Sequence, residues 1–195
     1  MTDRKKIRAA IREARRNIPK NYARQASLKF AERIAGFDAY QNATTIAAYL
    51  PFDGEADAMP LMERALLEKK AVFVPIIVAK DQPLKFAAWS KETTFKKNRF
   101  NILEPEVPTE EWIEGSELDC VIVPLVAFDE ACQRIGVGGG FYDRTFAYLK
   151  KDPSANTKLI GLAYELQKLD SIAAAEWDVP LHAVATELAV YRRPE

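Results

Sequence analysis

The run LDCVIVPLVAF, residues 118–128, is apolar at almost every position and leads through the glycine-rich stretch RIGVGGGFYDR into a helix-forming segment. A strand with one wet face alternates apolar and polar residues, so an unbroken run of this length predicts a strand covered on both faces. Such a strand needs neighbours in a sheet and layers above and below it. TIAAYL (45–50) and AVFVPIIV (71–78) are two more apolar runs, and the helical stretch 58–70 between them completes a βαβ unit. KLIGLAY (158–164) reads as another buried strand, following a helix expected from about Phe141 to Lys150. Parallel neighbours need a crossover, usually a helix, so this alternation predicts an α/β fold, a three-layer α/β/α arrangement with a largely parallel central sheet. Sheets of that kind bind ligands at the carboxyl ends of their strands.

Two helices are expected before the first strand. Ile7, Ala10, Ile11, Ala14 and Ile18 recur at helical spacing, while Arg4, Arg8, Arg12 and Arg15 gather into a basic stripe on another face. A second helix is predicted over Asn21 to Gly36, with Pro19 and Lys20 in the break and Gly36 as its C-terminal cap. The segment 81–108 interrupts the pattern: LKFAAW is a candidate strand, and FKKNRFNILEPEVP (95–108) is a polar, proline-punctuated excursion of the length that functional loops have. With no repeat, low-complexity tract or linker-like stretch, residues 1–195 are expected to form one domain.

The composition excludes several classes. Lys plus Arg total 28 and Asp plus Glu total 28, so the whole molecule offers no attraction to a nucleic acid backbone or an anionic membrane. The start, MTDRKKIRAAIREARR, lacks the apolar core of a signal peptide and no stretch is long enough to span a bilayer, so a cytoplasmic protein is expected. Cys120 and Cys132 have neither CxxC spacing nor the histidines of a zinc site, and are expected to be structural thiols. The single histidine, His182, supports no Ser-His-Asp or Cys-His assignment and is expected to be structural.

Four of the eight glycines fall between Gly136 and Gly140. Glycine permits positive φ and close backbone approach, so a loop of this kind between a strand and a helix can aim N–H groups at phosphate oxygens. It is not a Walker loop, because no GKS or GKT follows, and its spacing is not GxGxxG. A tight structural turn and a phosphate cradle both fit the glycines, and the flanking Arg134 and Arg144 favour phosphate.

The segment VPLVAFDEACQRIGVGGGFYDR resembles the hallmark of the 5-formyltetrahydrofolate cyclo-ligases, also called methenyltetrahydrofolate synthetases. RKKIR (4–8), YLPFDGE (49–55) and EWDVPLHAVATE (176–187) resemble the family's basic opening, substrate segment and closing stretch, so the resemblance spans nearly the whole chain. The family's fold resembles that of sugar-phosphate isomerases and CoA transferases. The resemblance implies an ATP- and Mg²⁺-dependent ligase of folate one-carbon metabolism, which converts 5-formyltetrahydrofolate to 5,10-methenyltetrahydrofolate with release of ADP and phosphate. It implies ATP binding by Arg4, Lys5, Lys6, Ile7 and Arg8 and by Arg134, Ile135, Gly136, Val137, Gly138, Gly139, Gly140, Phe141 and Tyr142. It implies folate binding by Leu50, Glu55, Val137, Gly138, Gly139, Gly140 and Phe141, magnesium at Asp143 and Asp178, and catalytic roles for Arg134, Arg8 and Tyr142. A monomer acting on ATP and a folate, without nucleic acid or membrane partners, is expected. Arg4 stands where the family commonly has lysine, Cys132 where it has glycine and His182 where it has an acidic residue.

Read without the resemblance, the same residues have plainer roles. The basic stripe is a solvated helix face, Glu55 an exposed turn carboxylate, Asp143 a partner of a helix dipole, and Phe141 with Tyr142 core anchors. A sugar-phosphate isomerase or acyl-carrier transferase is the competing enzyme class, marked by ATP-independent turnover. RNA binding is the competing non-enzymatic reading, marked by salt-dependent affinity. Arg8 and Arg134 are expected on a solvated site wall, where alanine would weaken ATP use and spare the fold.

Overall fold

The computed structural model describes residues 2–97, 103–152 and 154–194. Its centre is a seven-stranded sheet built from β1 (Thr45–Ala47), β2 (Ala71–Ile76), β3 (Lys85–Ala88), β6 (Cys120–Pro124), β9 (Lys158–Leu162), β10 (Ala183–Ala185) and β11 (Val190–Arg192). The order across the sheet is β11-β10-β9-β6-β1-β2-β3. The five inner strands run parallel, and the two edge strands β3 and β11 are antiparallel to their neighbours. The largely parallel α/β sheet anticipated from the alternation of strands and helices is therefore present.

Alternate residues of the inner strands feed two separate cores. Cys120 and Ile122 of β6 pack with Phe30, Ile34 and Met62 beneath α2 (Lys20–Ala35), α3 (Asp38–Gln41) and α4 (Met59–Leu67). Val121 and Val123 face the other way, into a cluster with Phe86, Phe128, Phe146 and Leu181. Fully burying a Phe or Ile contributes about 1.5–3 kcal/mol, so these clusters, more than local propensity, hold strands as short as the three residues of β1. Both thiols lie inside the cores, and burial pushes Cys120 up to about 12 and Cys132 up to about 11.

Several local expectations change. A third short helix, α3, precedes β1, so three helices rather than two come first. Gly36 does follow α2, but with φ −81°, in the ordinary right-handed region. The run 118–128 is not one strand. Beyond Pro124 the carbonyls of Leu125 and Val126 are taken by Gln167 at 2.9 and 3.0 Å, with Arg15 adding a bond to Leu125, and the chain turns out of the sheet. It re-forms as β7 (Ala127–Phe128), paired antiparallel with β8 (Arg134–Ile135) at the start of the glycine segment. The helix expected over 141–150 is α5 (Phe141–Thr145), followed by a 3₁₀ turn at Ala147–Lys150. Thr145 Oγ1 donates back to the Phe141 carbonyl and accepts from the Leu84 amide, competing with continuation of the helix. In the excursion, β4 (Phe95–Lys97) pairs antiparallel with β5 (Leu103–Pro105), and residues 98–102 lie outside those described.

Candidate functional site

The helix α1 (Thr2–Arg16) lies across the carboxyl ends of the inner strands, with its basic stripe turned inward. Arg15 is buried and bonds the Leu125 and Asp53 carbonyls, while Arg16 grips the Asp53 carboxylate at 2.8 Å. Two turns towards the N-terminus, Arg8 Nε donates to the Gly136 carbonyl at 2.8 Å, and one turn further Arg4 donates to the Ala173 carbonyl at 2.6 Å and to Asp178 at 3.0 Å. The stripe is a docking face, where a solvated one was the plainer expectation.

Below Arg4 and Arg8 is a small polar cavity of about 150 Å³ lined also by Arg134, the glycine loop, Asp143 and Asp178. The loop leaves the β7–β8 hairpin and enters α5 through Gly138 at φ 109° and Gly140 at φ 65°, conformations that side chains with a Cβ rarely adopt. Arg144 reaches back to the Gly139 carbonyl at 2.8 Å and the Lys80 carbonyl at 2.9 Å, fixing the outer turn. Burial, and then the charges of Arg4 and Arg12, hold the Arg8 guanidinium below its ordinary value. Three arginines and two aspartates line the cavity; Arg4 pairs with Asp178 and Arg134 with Asp143, which leaves Arg8 as the excess positive charge that a polyanion would meet.

Adjoining it is an apolar cavity of about 290 Å³ at the ends of β1, β2 and β6, lined by Tyr49, Leu50, Val74, Pro75 and Leu103 among others. Pro124, Val137, Phe141 and Tyr142 are common to both cavities. Glu55 closes the turn after β1 that also carries Asp53; its Oε2 accepts from the Phe52 amide at 3.1 Å. Burial raises its proton affinity, and the Phe52 bond only partly opposes that. Tyr142 stacks on Phe146, and burial raises its hydroxyl well above the usual phenol range, so it stays a neutral donor.

The residues singled out in the sequence are therefore distributed unevenly. Arg4, Arg8, Arg134, Gly136, Gly138, Gly140, Asp143 and Asp178 meet at the polar cavity, and Leu50 and Glu55 at the apolar one, with Val137, Phe141 and Tyr142 between them. Gly139 faces an open groove beside the polar cavity. Lys5 and Lys6 are exposed and line neither cavity, and Ile7 and Ile135 pack with Ala127 and Ile172 in a small core cluster. Cys132 and His182 also line neither; His182 Nδ1 accepts from the Leu159 amide at 3.0 Å. Arg134 corrects the solvated-wall expectation. Its side chain is 5 % exposed, donates to Asp143 at 2.6 Å and also bonds the Val179 carbonyl. It props the cavity floor from inside the protein.

Trp177 and Arg12 are among the lining residues that the sequence reading did not assign to the site. Trp177, 71 % exposed, borders the polar cavity and the groove beside it; its place next to Asp178 was the available signal. Arg12 lines the apolar cavity, and its spacing of four from Arg8 was the signal there.

Asp143 Oδ1 is occupied by Arg134 and the Val179 amide, and Asp178 Oδ2 by Arg4 and the Ala175 amide. The second oxygen of each makes no hydrogen bond among the described residues, which contain no cluster of three or more potential metal ligands. Two carboxylate oxygens beside a polyanion cavity fit magnesium, which is held by one or two carboxylates completed by substrate phosphates.

A family model described as the 5-formyltetrahydrofolate cyclo-ligase family matches residues 1–187. The chain is 35% identical over 182 residues to the 5-formyltetrahydrofolate cyclo-ligase of Escherichia coli, covering 93% of this chain and 98% of that protein. It is 34% identical to the enzyme of that name from Haemophilus influenzae, over 91% of this chain and 94% of the relative. Among solved structures, the 5,10-methenyltetrahydrofolate synthetase of Aquifex aeolicus superposes with a TM-score of 0.81 at 26% identity, covering 98% of this chain and 93% of that one.

Proposed function

Because the chain belongs to the 5-formyltetrahydrofolate cyclo-ligase family, we propose that it converts 5-formyltetrahydrofolate to 5,10-methenyltetrahydrofolate at the expense of ATP. The observation that carries the reading is the pair of adjoining cavities, one cationic over a glycine loop and one apolar with a desolvated carboxylate, meeting at Val137, Phe141 and Tyr142. A triphosphate suits the first and a reduced pterin the second, with the transferred phosphoryl group at their junction.

A formyl group on N5 is an amide, and its oxygen leaves poorly until it is phosphorylated. Phosphoryl transfer asks a protein chiefly for alignment and for cations against developing charge. Arg4 and Arg8 supply the cations on the ATP side, the loop Gly136–Gly140 supplies backbone donors, and Arg134 positions Asp143. Asp143 and Asp178 would hold magnesium, which when bound offsets phosphate charge. Tyr142 offers a neutral hydroxyl at the junction, and Leu50 and Glu55 receive the pterin. Arg4, Arg8 and the loop thus keep the nucleotide roles the resemblance implies; for Lys5, Lys6, Ile7 and Ile135 we retain only support of the elements that carry them.

The test is absorbance of the purified protein with 5-formyltetrahydrofolate, Mg²⁺ and ATP. The methenyl chromophore should appear with ATP and not without it. A folded preparation that binds ATP but gives no band, or one that turns over without ATP, would overturn the proposal.

Glu55→Gln gives a second expectation. The carboxylate is placed to accept paired, charge-assisted hydrogen bonds from the pterin, each worth about 1.5–3 kcal/mol, so the amide should raise the folate KM by about tenfold or more. Its effect on folding has the opposite sign. The folded state binds the Glu55 proton more tightly than the unfolded chain does, so ionised Glu55 opposes folding at neutral pH. The glutamine protein should be the more stable in urea at neutral pH, and the two should converge as falling pH protonates Glu55 in both states. A glutamine variant that is less stable at neutral pH would contradict this.

A further inference from the structure

Among the described residues, Arg15 is the one fully buried cation of α1, 3 % exposed, and it forms no ion pair within 4 Å. Its guanidinium is held by carbonyls instead, Leu125 at 3.3 Å and Asp53 at 3.1 Å, and its Nε has no hydrogen-bond partner. A buried cation held only by neutral dipoles is costly unless an anion stands near enough to offset its charge. The Asp53 carbonyl belongs to the turn that carries Glu55, and that turn also packs on Arg15: a Cβ at Gly54 would meet the Arg15 backbone at 3.5 Å. Glu55 is the complementary case, a desolvated carboxylate that likewise has no ion pair within 4 Å among the described residues. Both residues line the groove between α1, α2 and the turn.

We infer that Arg15 is a positioning residue for the folate, one that seats the turn carrying Glu55 and supplies the counter-charge that keeps Glu55 a carboxylate as it meets the pterin. The inference rests on the folate site proposed above. The charged and titratable groups that face Glu55 are Arg12 and Arg15 of α1, Asp53 of its own turn, Glu104 of β5, and the phenols of Tyr49 and Tyr142, with Arg16, Asp57 and Tyr164 further along the groove. Burial keeps the Tyr49 and Tyr142 phenols neutral. Asp53 works against a charge on Glu55, and Arg15 favours that charge more strongly than Arg12 does. Arg12 is 37 % exposed, so water screens it, and it stands 3.9 Å from Asp53. Arg15 is screened by neither water nor a carboxylate of its own.

The test is the dissociation constant of 5-formyltetrahydrofolate as a function of pH, measured by calorimetry on the full chain. Arg15→Gln removes the charge and keeps a donor for the carbonyls, whereas Arg15→Lys keeps the charge. Taking a cation from beside a carboxylate favours the protonated form, so affinity for the folate should begin to fall at a pH higher by about one unit or more in Arg15→Gln than in the parent. On that acid limb the variant should bind about tenfold more weakly than the parent at the same pH, and the two affinities should converge as rising pH ionises Glu55 in both. Arg15→Lys should follow the parent's profile. Glu55→Gln should lack the limb, and adding Arg15→Gln to it should bring no pH dependence back. Three results overturn the inference: an unchanged profile in Arg15→Gln, a weakening that is the same at every pH, or a shift that persists in the Glu55→Gln background. If Arg15→Gln folds only together with Glu55→Gln, the two charges are shown to depend on each other and the inference stands; if it folds in neither background, Arg15 serves the core and the inference falls. A parent that binds no folate, or whose acid limb survives Glu55→Gln, would overturn the folate site itself, and this separates the two failures.

Discussion

Arg134→Ala should lower the free energy of unfolding by about 3 kcal/mol, the size of loss seen when one partner of a buried ion pair is removed. The substitution leaves Asp143 without its cation, removes a donor from the Val179 carbonyl and opens a void where the guanidinium was. Asp143 is 23 % exposed, so water recovers part of the cost and the loss should fall short of that for a fully dry pair. Chemical denaturation measures this directly. A midpoint equal to the parent's, with activity gone, would return Arg134 to the solvated wall. A lowered midpoint makes any activity loss in this variant partly a consequence of a sagging cavity floor.

Gly138→Val should reduce turnover by about 100-fold or more, the penalty for an ångström-scale displacement of groups that align a reaction. A Cβ at Gly138 would itself meet the Arg8 guanidinium at an ordinary 3.6 Å, and the γ-methyls of valine would press further on that side chain. The larger obstacle is the φ of 109°, which a β-branched residue reaches only with about 1–3 kcal/mol of strain. The loop should relax away from that conformation and take its backbone donors with it. Gly136 provides the comparison for folding: it lies outside the left-handed region and an added Cβ meets nothing within 4 Å. Gly136→Ala should hold stability within about 0.5 kcal/mol of the parent. Equal stability loss in both variants would mean that the positive φ is not what requires glycine at 138.

The sheet was legible from the chain because its inner strands are apolar on both faces, a pattern that little else in a protein of this size produces. Long-range contacts set the remaining features. Nothing near Leu125 or Val126 announces that Gln167 will claim their carbonyls and turn the chain out of the sheet. The edge strand β11 spans only Val190–Arg192 and has no buried alternation of its own. The site followed the same division. The glycine cluster and Glu55 stand out locally, whereas the orientation of the arginine stripe depends on Gly136, Asp178 and Leu125, more than a hundred residues away. Arg134 misled because its neighbours in sequence are loop glycines while its neighbours in space are Asp143 and Val179.

The way α1 is attached separates the life of the site from that of the core. Apart from Ile7 in a small satellite cluster, the contacts named above that hold the helix are arginine hydrogen bonds to carbonyls and carboxylates. Segments tied by partly wetted polar bonds open at lower free energy than segments sealed by packed side chains. Both cavities borrow a wall from this one helix, so a single undocking event dismantles them together while the seven strands stay folded. During synthesis the two ends of the helix find partners at different times: Arg15 and Arg16 can meet Asp53 early, whereas Arg8 and Arg4 have nothing to grip until Gly136, Ala173 and Asp178 have emerged, so the polar cavity closes late.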